Sequence, residues 1–194
     1  VPMYFIERNN QLIDATNHTF NDLMNGKRLP LFDGELNIND WDNHLTTIFT
    51  QVRLKKYMEL RSMDACSWNE ICSQPAFMTG IIYDDDCLDE AYNICSNWSK
   101  ADRLYLYKNV PKYGLNTKFK DGNVCDFAKV FLDLSFKGLK KRNIKSKDGK
   151  DESQYLYSIE ENLSKGISPA DKLIYKFNND WKESVLPIYE ENIF

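Results

Sequence analysis

Residues 52–61, Val-Arg-Leu-Lys-Lys-Tyr-Met-Glu-Leu-Arg, change character with a period of two. Arg53, Lys55, Tyr57, Glu59 and Arg61 share one parity. Val52, Leu54, Met58 and Leu60 share the other, with Lys56 the one intruder. Successive side chains of a strand point to opposite faces, so this spacing predicts one strand with an apolar back and an ionic front. Cations and a carboxylate in one row suit a site that grips an anion beside a metal ion, the pairing that phosphoryl transfer requires. The plainer reading is a half-buried strand showing its polar face to water.

The segments around it carry local punctuation. Residues 3–8 and 11–14 are rich in β-formers and flank Asn9-Asn10, which predicts a hairpin. Residues 19–25 read as a short helix stopped at Gly26. Residues 29–37, with Pro30 and Gly34, read as a loop. Residues 39–47 place Trp41, Leu45 and Ile48 at helical spacing. Beyond residue 61 the chain turns helical. Ser67 followed by Glu70 predicts a capping box opening a helix that carries Cys72 and meets Pro75. Helices follow over 86–98, 99–109, 124–141 and 151–165, the last stopped at Gly166. The 124–141 segment bears an apolar stripe of Val124, Phe127, Ala128, Phe131 and Leu134. Ser168-Pro169 starts a further helix, with Pro in the first turn. The expected class is α+β: a few antiparallel strands near the start and a helical second half, taken as a single domain over 1–194.

Composition narrows the functions. With 42% hydrophobic and 28% charged residues the chain reads as an ordinary soluble one. A net charge of −4 gives no reason to expect nucleic acid. Seven basic residues fall between Lys137 and Lys150, a pattern better suited to a solvated helix end than to a polyanion site. Apolar runs are too short for a bilayer span and no signal-like segment opens the sequence, so the default expectation is a cytoplasmic protein away from membranes. Five cysteines and only two histidines, with no Cys-x-x-Cys, argue against a zinc site and a complete disulfide framework.

The residues flanking the ionic stretch form a longer motif. Asp40-Trp41, His44-Leu45-Thr46-Thr47 and Phe49 precede Val52-Arg53-Leu54-Lys55, Tyr57, Glu59, Arg61 and Asp64; Trp68, Cys72 and Pro75-Ala76-Phe77 follow. This run resembles glutamate–cysteine ligases of the plant and proteobacterial type. The likeness is dense over residues 40–84. It continues through Val110-Pro111, Gly138-Leu139, Ser168-Pro169-Ala170 and Trp181, and Met3-Tyr4-Phe5 and Arg8 also fit. Two departures stand out: Gln51 where the family usually has glutamate, and Ser62-Met63 where it usually has Gly-Ala.

The resemblance implies ATP- and Mg²⁺-dependent joining of the glutamate γ-carboxylate to the cysteine amine, through an acyl phosphate. Glu59 is then the expected metal ligand. Arg53 and Arg61 are the expected catalytic cations, and Lys55 with Arg61 the expected nucleotide contacts. His44 reads as a structural hydrogen-bonder. Trp41, Trp68 and Phe77 suit either a pocket wall or the core. Cys72 matches a cysteine that in plant members forms a regulatory disulfide with the N-terminal part. Family enzymes are much longer, so the chain is expected to be the C-terminal portion of such a ligase. It would be inactive alone and would associate with a separately encoded N-terminal half, or with itself, through the edge of residues 3–8. The alternatives are a non-catalytic remnant or docking subunit, and a carboxylate–amine ligase with another amino substrate.

Overall fold

Asn9 and Asn10 both take positive φ, 49° and 60°. That is the conformation a two-residue hairpin turn needs, and asparagine tolerates it better than most residues. They join β1 (Phe5–Arg8) to β2 (Gln11–Asp14) in the expected antiparallel register, Arg8 opposite Gln11. The computed structural model describes residues 1–30, 32, 34–64 and 66–191. They fall into two compact units, Val1–Asp64 and Ala65–Phe194. The α+β class holds: the strands form small antiparallel pairs and the remainder is chiefly helical.

In the first unit the hairpin is followed by α1 (Phe20–Met24) and α2 (Ile38–Thr46). Both open on capping boxes, Thr19 with Asp22 and Asn37 with Asp40, which satisfy otherwise orphaned helix amides. Met3, Ile6, Ala15, Leu23 and Leu29 form the core, with Ile13, Phe20, Phe32 and Leu36 packed on it. Of the loop expected over 29–37, residues 31 and 33 lie outside the described residues. The buried side of α2 is a correction. Trp41 stays exposed and Leu45 and Ile48 are half-buried, whereas Asp40 and His44, one turn apart, are buried.

The expected ten-residue strand is also corrected. The segment is a hairpin, β3 (Val52–Leu54) and β4 (Met58–Leu60), with residues 55–57 in the loop. The register pairs Val52 with Leu60, Arg53 with Glu59 and Leu54 with Met58. The ladder is extended by the Arg61 amide donating to the Gln51 carbonyl at 2.9 Å.

The second unit begins with α3 (Trp68–Ile71) and α4 (Ser73–Ile82). The Ser67–Glu70 capping box does not form. Ser67 Oγ donates to the Glu70 carboxylate at 2.9 Å and makes no bond to the helix amides. Next come α5 (Asp85–Ser96) and α6 (Lys100–Tyr113), the latter opened by a capping box of Ser99 and Asp102. A two-residue hairpin, β5 (Lys118–Phe119) with β6 (Gly122–Asn123), leads into α7 (Val124–Arg142). A 3₁₀ turn over Glu152–Leu156 precedes α8 (Tyr157–Lys165), which stops at Gly166. Helices α9 (Pro169–Asn179) and α10 (Pro187–Glu191) complete the unit. Among the described residues no helix is long and apolar enough to cross a membrane.

Helix α7 is the spine of this unit and crosses α4 at glycine. A Cβ placed on Gly138 would stand 1.8 Å from the Gly80 carbonyl oxygen, and one on Gly80 would stand 2.3 Å from the Ser135 carbonyl. Ser135 and Leu139 are fully buried beside the crossing. On one flank lie Ala76, Leu132, Leu156 and Leu163; on the other lie Ile81, Ala91 and Leu134. Gly138→Ala should therefore force the helices apart, costing about 3 kcal/mol. Chemical unfolding followed by circular dichroism measures this. A loss within experimental error of zero would show that the crossing relaxes freely.

Candidate functional site

The ionic row of the first unit is assembled by the β3–β4 register. Arg53 and Glu59 are directly opposed, so their side chains leave the same face. Arg53 Nε and Nη2 reach Glu59 Oε2 at 2.7 and 2.6 Å, and Arg61 Nη1 donates to Oε1 at 2.9 Å. Both arginines also lie over the Phe49 ring, at 5.8 and 4.9 Å from its centroid. The Arg53 hydrogen bonds, reinforced by Arg61 and opposed by burial, hold the Glu59 carboxyl below the usual carboxylate range.

The two arginines differ in situation. Arg53 has only 12% of its side chain exposed, and its Nη1 donates to the Thr46 carbonyl at the end of α2. A cation there satisfies a free helix carbonyl and suits the helix dipole. Arg61 keeps 30% of its side chain exposed. Lys55 lies in the hairpin loop, exposed and outside both strands. The structure thus gathers Arg53, Glu59 and Arg61 and leaves Lys55 at the tip. The apolar back is not buried as expected. Val52, Leu54 and Met58 are 48%, 76% and 53% exposed and belong to none of the core clusters among the described residues.

A second arrangement was not foreseen in the sequence. Asp40 is almost wholly buried and accepts from Arg8 in a fork, Nη1 to Oδ1 at 2.5 Å and Nη2 to Oδ2 at 2.7 Å. Oδ2 also accepts the Asn37 amide of the capping box at 2.7 Å. Burial pushes the Asp40 carboxyl up, but the Arg8 and Asn37 hydrogen bonds outweigh it and the net shift is downward. Both residues belong to the family resemblance, but nothing in the sequence marked Arg8 as the partner of Asp40. One turn on, His44 is buried, stacked on Phe20 at 5.7 Å, with an unpartnered Nδ1. It is not the hydrogen-bonder expected at that nitrogen, and burial pushes its pKa down.

In the second unit a mostly apolar cavity of about 320 Å³ lies among Phe77, Leu115, Ala128, Ile159 and Leu163. On its rim Lys172 Nζ donates to Asn162 Oδ1 at 2.6 Å, and Asn162 Nδ2 donates to Glu70 Oε1 at 3.2 Å. Phe77 therefore joins both core and cavity wall, while Trp68 is exposed. All five cysteines are in the thiol form, and Cys87 and Cys125 are buried. Burial, with the nearby Asp84 carboxylate, pushes the Cys87 thiol up to about 11, so it is inert at neutral pH.

The profile of "Glutamate-cysteine ligase family 2 (GCS2)" matches residues 1–191. The chain belongs to this glutamate–cysteine ligase family. It is 42% identical over 195 residues to "Glutamate--cysteine ligase A, chloroplastic" of Oryza sativa subsp. indica, covering 100% of this chain and 38% of that protein. It is 42% identical to "Glutamate--cysteine ligase, chloroplastic" of Arabidopsis thaliana and 40% to that of Brassica juncea, covering 36% and 37% of them. The chain thus spans well under half the length of these glutamate–cysteine ligases. Their names overturn the cytoplasmic expectation, since each is a chloroplast protein. That expectation rested on the lack of a leader at residue 1, which is uninformative in a chain covering so small a share of its relatives.

The shifted groups of the first unit fix how that unit responds to acid. His44 has a folded pKa below the ordinary 6.5, so its contribution is complete above 6.5 and declines as pH falls through it. Asp40, like Asp14, Asp22 and Glu59 of the same unit, has a folded pKa below its ordinary value, so the contribution of these carboxylates is lost only as pH falls below about 4.5. Protection of the Ile6 and Leu23 amides against hydrogen exchange, corrected for intrinsic rates, should therefore fall in two stages. In His44→Phe the first stage should vanish and the second remain; an unchanged first stage would place it on another group.

Proposed function

We propose that this chain is part of an ATP-dependent glutamate–cysteine ligase that joins the glutamate γ-carboxylate to the cysteine amine. The carboxylate attacks the γ-phosphorus of ATP and ADP departs. The cysteine nitrogen then attacks the acyl phosphate, losing its proton and expelling phosphate. The observation that carries this reading is the assembled Arg53–Glu59–Arg61 row within a family match to nearly the whole chain. Arg61, with its half-open side chain, is assigned the anion contact. Arg53, engaged with Glu59 and Thr46, is assigned the positioning of Glu59. The plastid names of the relatives support a plastid location.

Magnesium does not fit these residues alone. Among the described residues no group of three carboxylate, imidazole or thiol side chains converges to hold a metal ion, and both Glu59 oxygens accept from arginine. Mg²⁺ needs a near-complete shell of oxygens. Glu59 is thus assigned at most one ligand position, with the others supplied by ligase sequence beyond this chain. The same observation favours a second reading, in which the chain is a non-catalytic remnant or docking subunit.

Release of ADP that depends on both glutamate and cysteine decides between them. It is measured on the chain alone and with the portion of the rice relative outside the matched region. The chain alone should be silent. The mixture should turn over, and Arg61→Lys should lower its kcat/KM by about a hundredfold, the size expected for losing a placed charge contact. A silent mixture would favour the non-catalytic reading, and turnover by the chain alone would show its site to be complete.

A further inference from the structure

We infer that the apolar face of the β3–β4 hairpin is a docking surface for the portion of a glutamate–cysteine ligase polypeptide that this chain does not span, seated as added strands and an apolar layer. The inference rests on the family reading but not on turnover. It is carried by an inversion. The charged face of the hairpin is internally satisfied, whereas the apolar face is open: Val52, Leu54 and Met58 are 48%, 76% and 53% exposed. A run of large apolar side chains on consecutive same-side positions of a ladder is not ordinary surface. Isolated two-stranded hairpins are marginal in water, and both strands here have an outer edge with no strand beside it among the described residues.

The occupant follows from coverage and from what the other strands do. The first hairpin is not available in the same way: Met3 and Ile6 are buried in the core of the first unit, and the Met3 amide donates to the His18 carbonyl at 2.8 Å. Among the described residues β1 pairs only with β2, so the edge of residues 3–8 is open as expected; what sets β3–β4 apart is that its apolar side chains are exposed, whereas Met3 and Ile6 of residues 3–8 are buried. The relatives align with this chain along 100% of it but along only 36–38% of themselves. They therefore carry more than half of their length as sequence that can cover the hairpin. Strand addition at an open edge takes its affinity from backbone hydrogen bonds and its specificity from alternate side chains. Here those are the even-numbered residues opposite the arginine row, so docking also closes over the back of Arg53, Glu59 and Arg61.

The test uses the full chain and, as probe, the rice relative's polypeptide outside the matched region, mixed or co-expressed. Multi-angle light scattering and calorimetry should show a one-to-one complex, with slowed amide exchange over residues 52–60. Leu54→Lys with Met58→Lys should weaken binding by at least about tenfold, as for central apolar anchors. Tyr92→Lys, at an exposed position of α5, should leave it unchanged. The double variant should keep the melting temperature of the chain alone, because both side chains are already in water. Four results would overturn the proposal: no complex; a complex indifferent to the double variant; a homodimer that the double variant dissolves; or a lower melting temperature of the double variant alone, which would mean that the chain covers this face itself. Association without ADP release leaves the docking surface standing and removes the ligase reading.

Discussion

The second unit depends on two glycines meeting. Gly80 on α4 and Gly138 on α7 bring their helices to a separation at which no Cβ fits between them. Each glycine costs its helix roughly 1 kcal/mol relative to alanine. The return is collective: at this spacing Ser135 and Leu139 become wholly inaccessible, and Leu132 and Leu134 reach separate clusters on the two flanks of α7. Dispersion contacts fall off steeply with small gaps, so loosening the crossing weakens both clusters together. The 3₁₀ turn and α8 then pack Leu156 and Leu163 onto the surface that the crossing has made.

The signals legible in the sequence were local ones. Asn9-Asn10, the helix start at Ser168-Pro169 and the stop at Gly166 each act within four residues, and each forms as expected, although the Ser67–Glu70 box does not. Gly80 and Gly138 carried no such mark, since their meaning lies in each other, 58 positions apart along the chain. The hairpin at residue 52 shows a subtler limit. Its loop has three residues, and in the observed register each pair of opposed residues has the same parity. Alternation therefore assigns faces identically for one long strand and for a hairpin folded on itself. Period two gave the right sidedness and could not reveal the turn. The consequence for the site is large. Along a single strand Arg53 and Glu59 would be about 20 Å apart, whereas in the hairpin they touch.

Helix α2 shows why the first unit's electrostatics were harder to read. Its N-terminal turn is held through Asp40 by Arg8, from 32 residues earlier, and its last turn is held through the Thr46 carbonyl by Arg53, from 7 residues later. Between these clamps it buries Asp40 and His44 rather than an apolar stripe. Amphipathic periodicity assumes that a helix docks by its hydrophobic side. A short helix clamped by two guanidinium groups need not, because its buried carboxylate, Asp40, meets a fixed, charge-assisted partner, while His44 stacks on Phe20 with its Nδ1 left unpartnered. The family resemblance did include Arg8, Asp40 and Arg53, but a motif names residues without saying which ones touch.

That clamp also ranks the members of the ionic row. Arg53 spends its donors on Glu59 and on the end of α2, so moving it would disturb a helix as well as an ion pair. Arg61 holds Glu59 by one oxygen, rests on Phe49 and retains much of its surface. Two guanidinium charges against one carboxylate leave the row net positive, with Lys55 and Lys56 adding to that sign at the hairpin tip. As folded, the face therefore favours an anion over a cation, and Arg61 is the group that can turn toward one at least cost to the fold. A carboxylate already neutralised on both oxygens attracts a divalent metal weakly until one of its arginines is drawn elsewhere. On the proposed reading, the anion contact within this chain would rest on Arg61, and the metal contact on a single carboxylate whose two oxygens already accept from arginine.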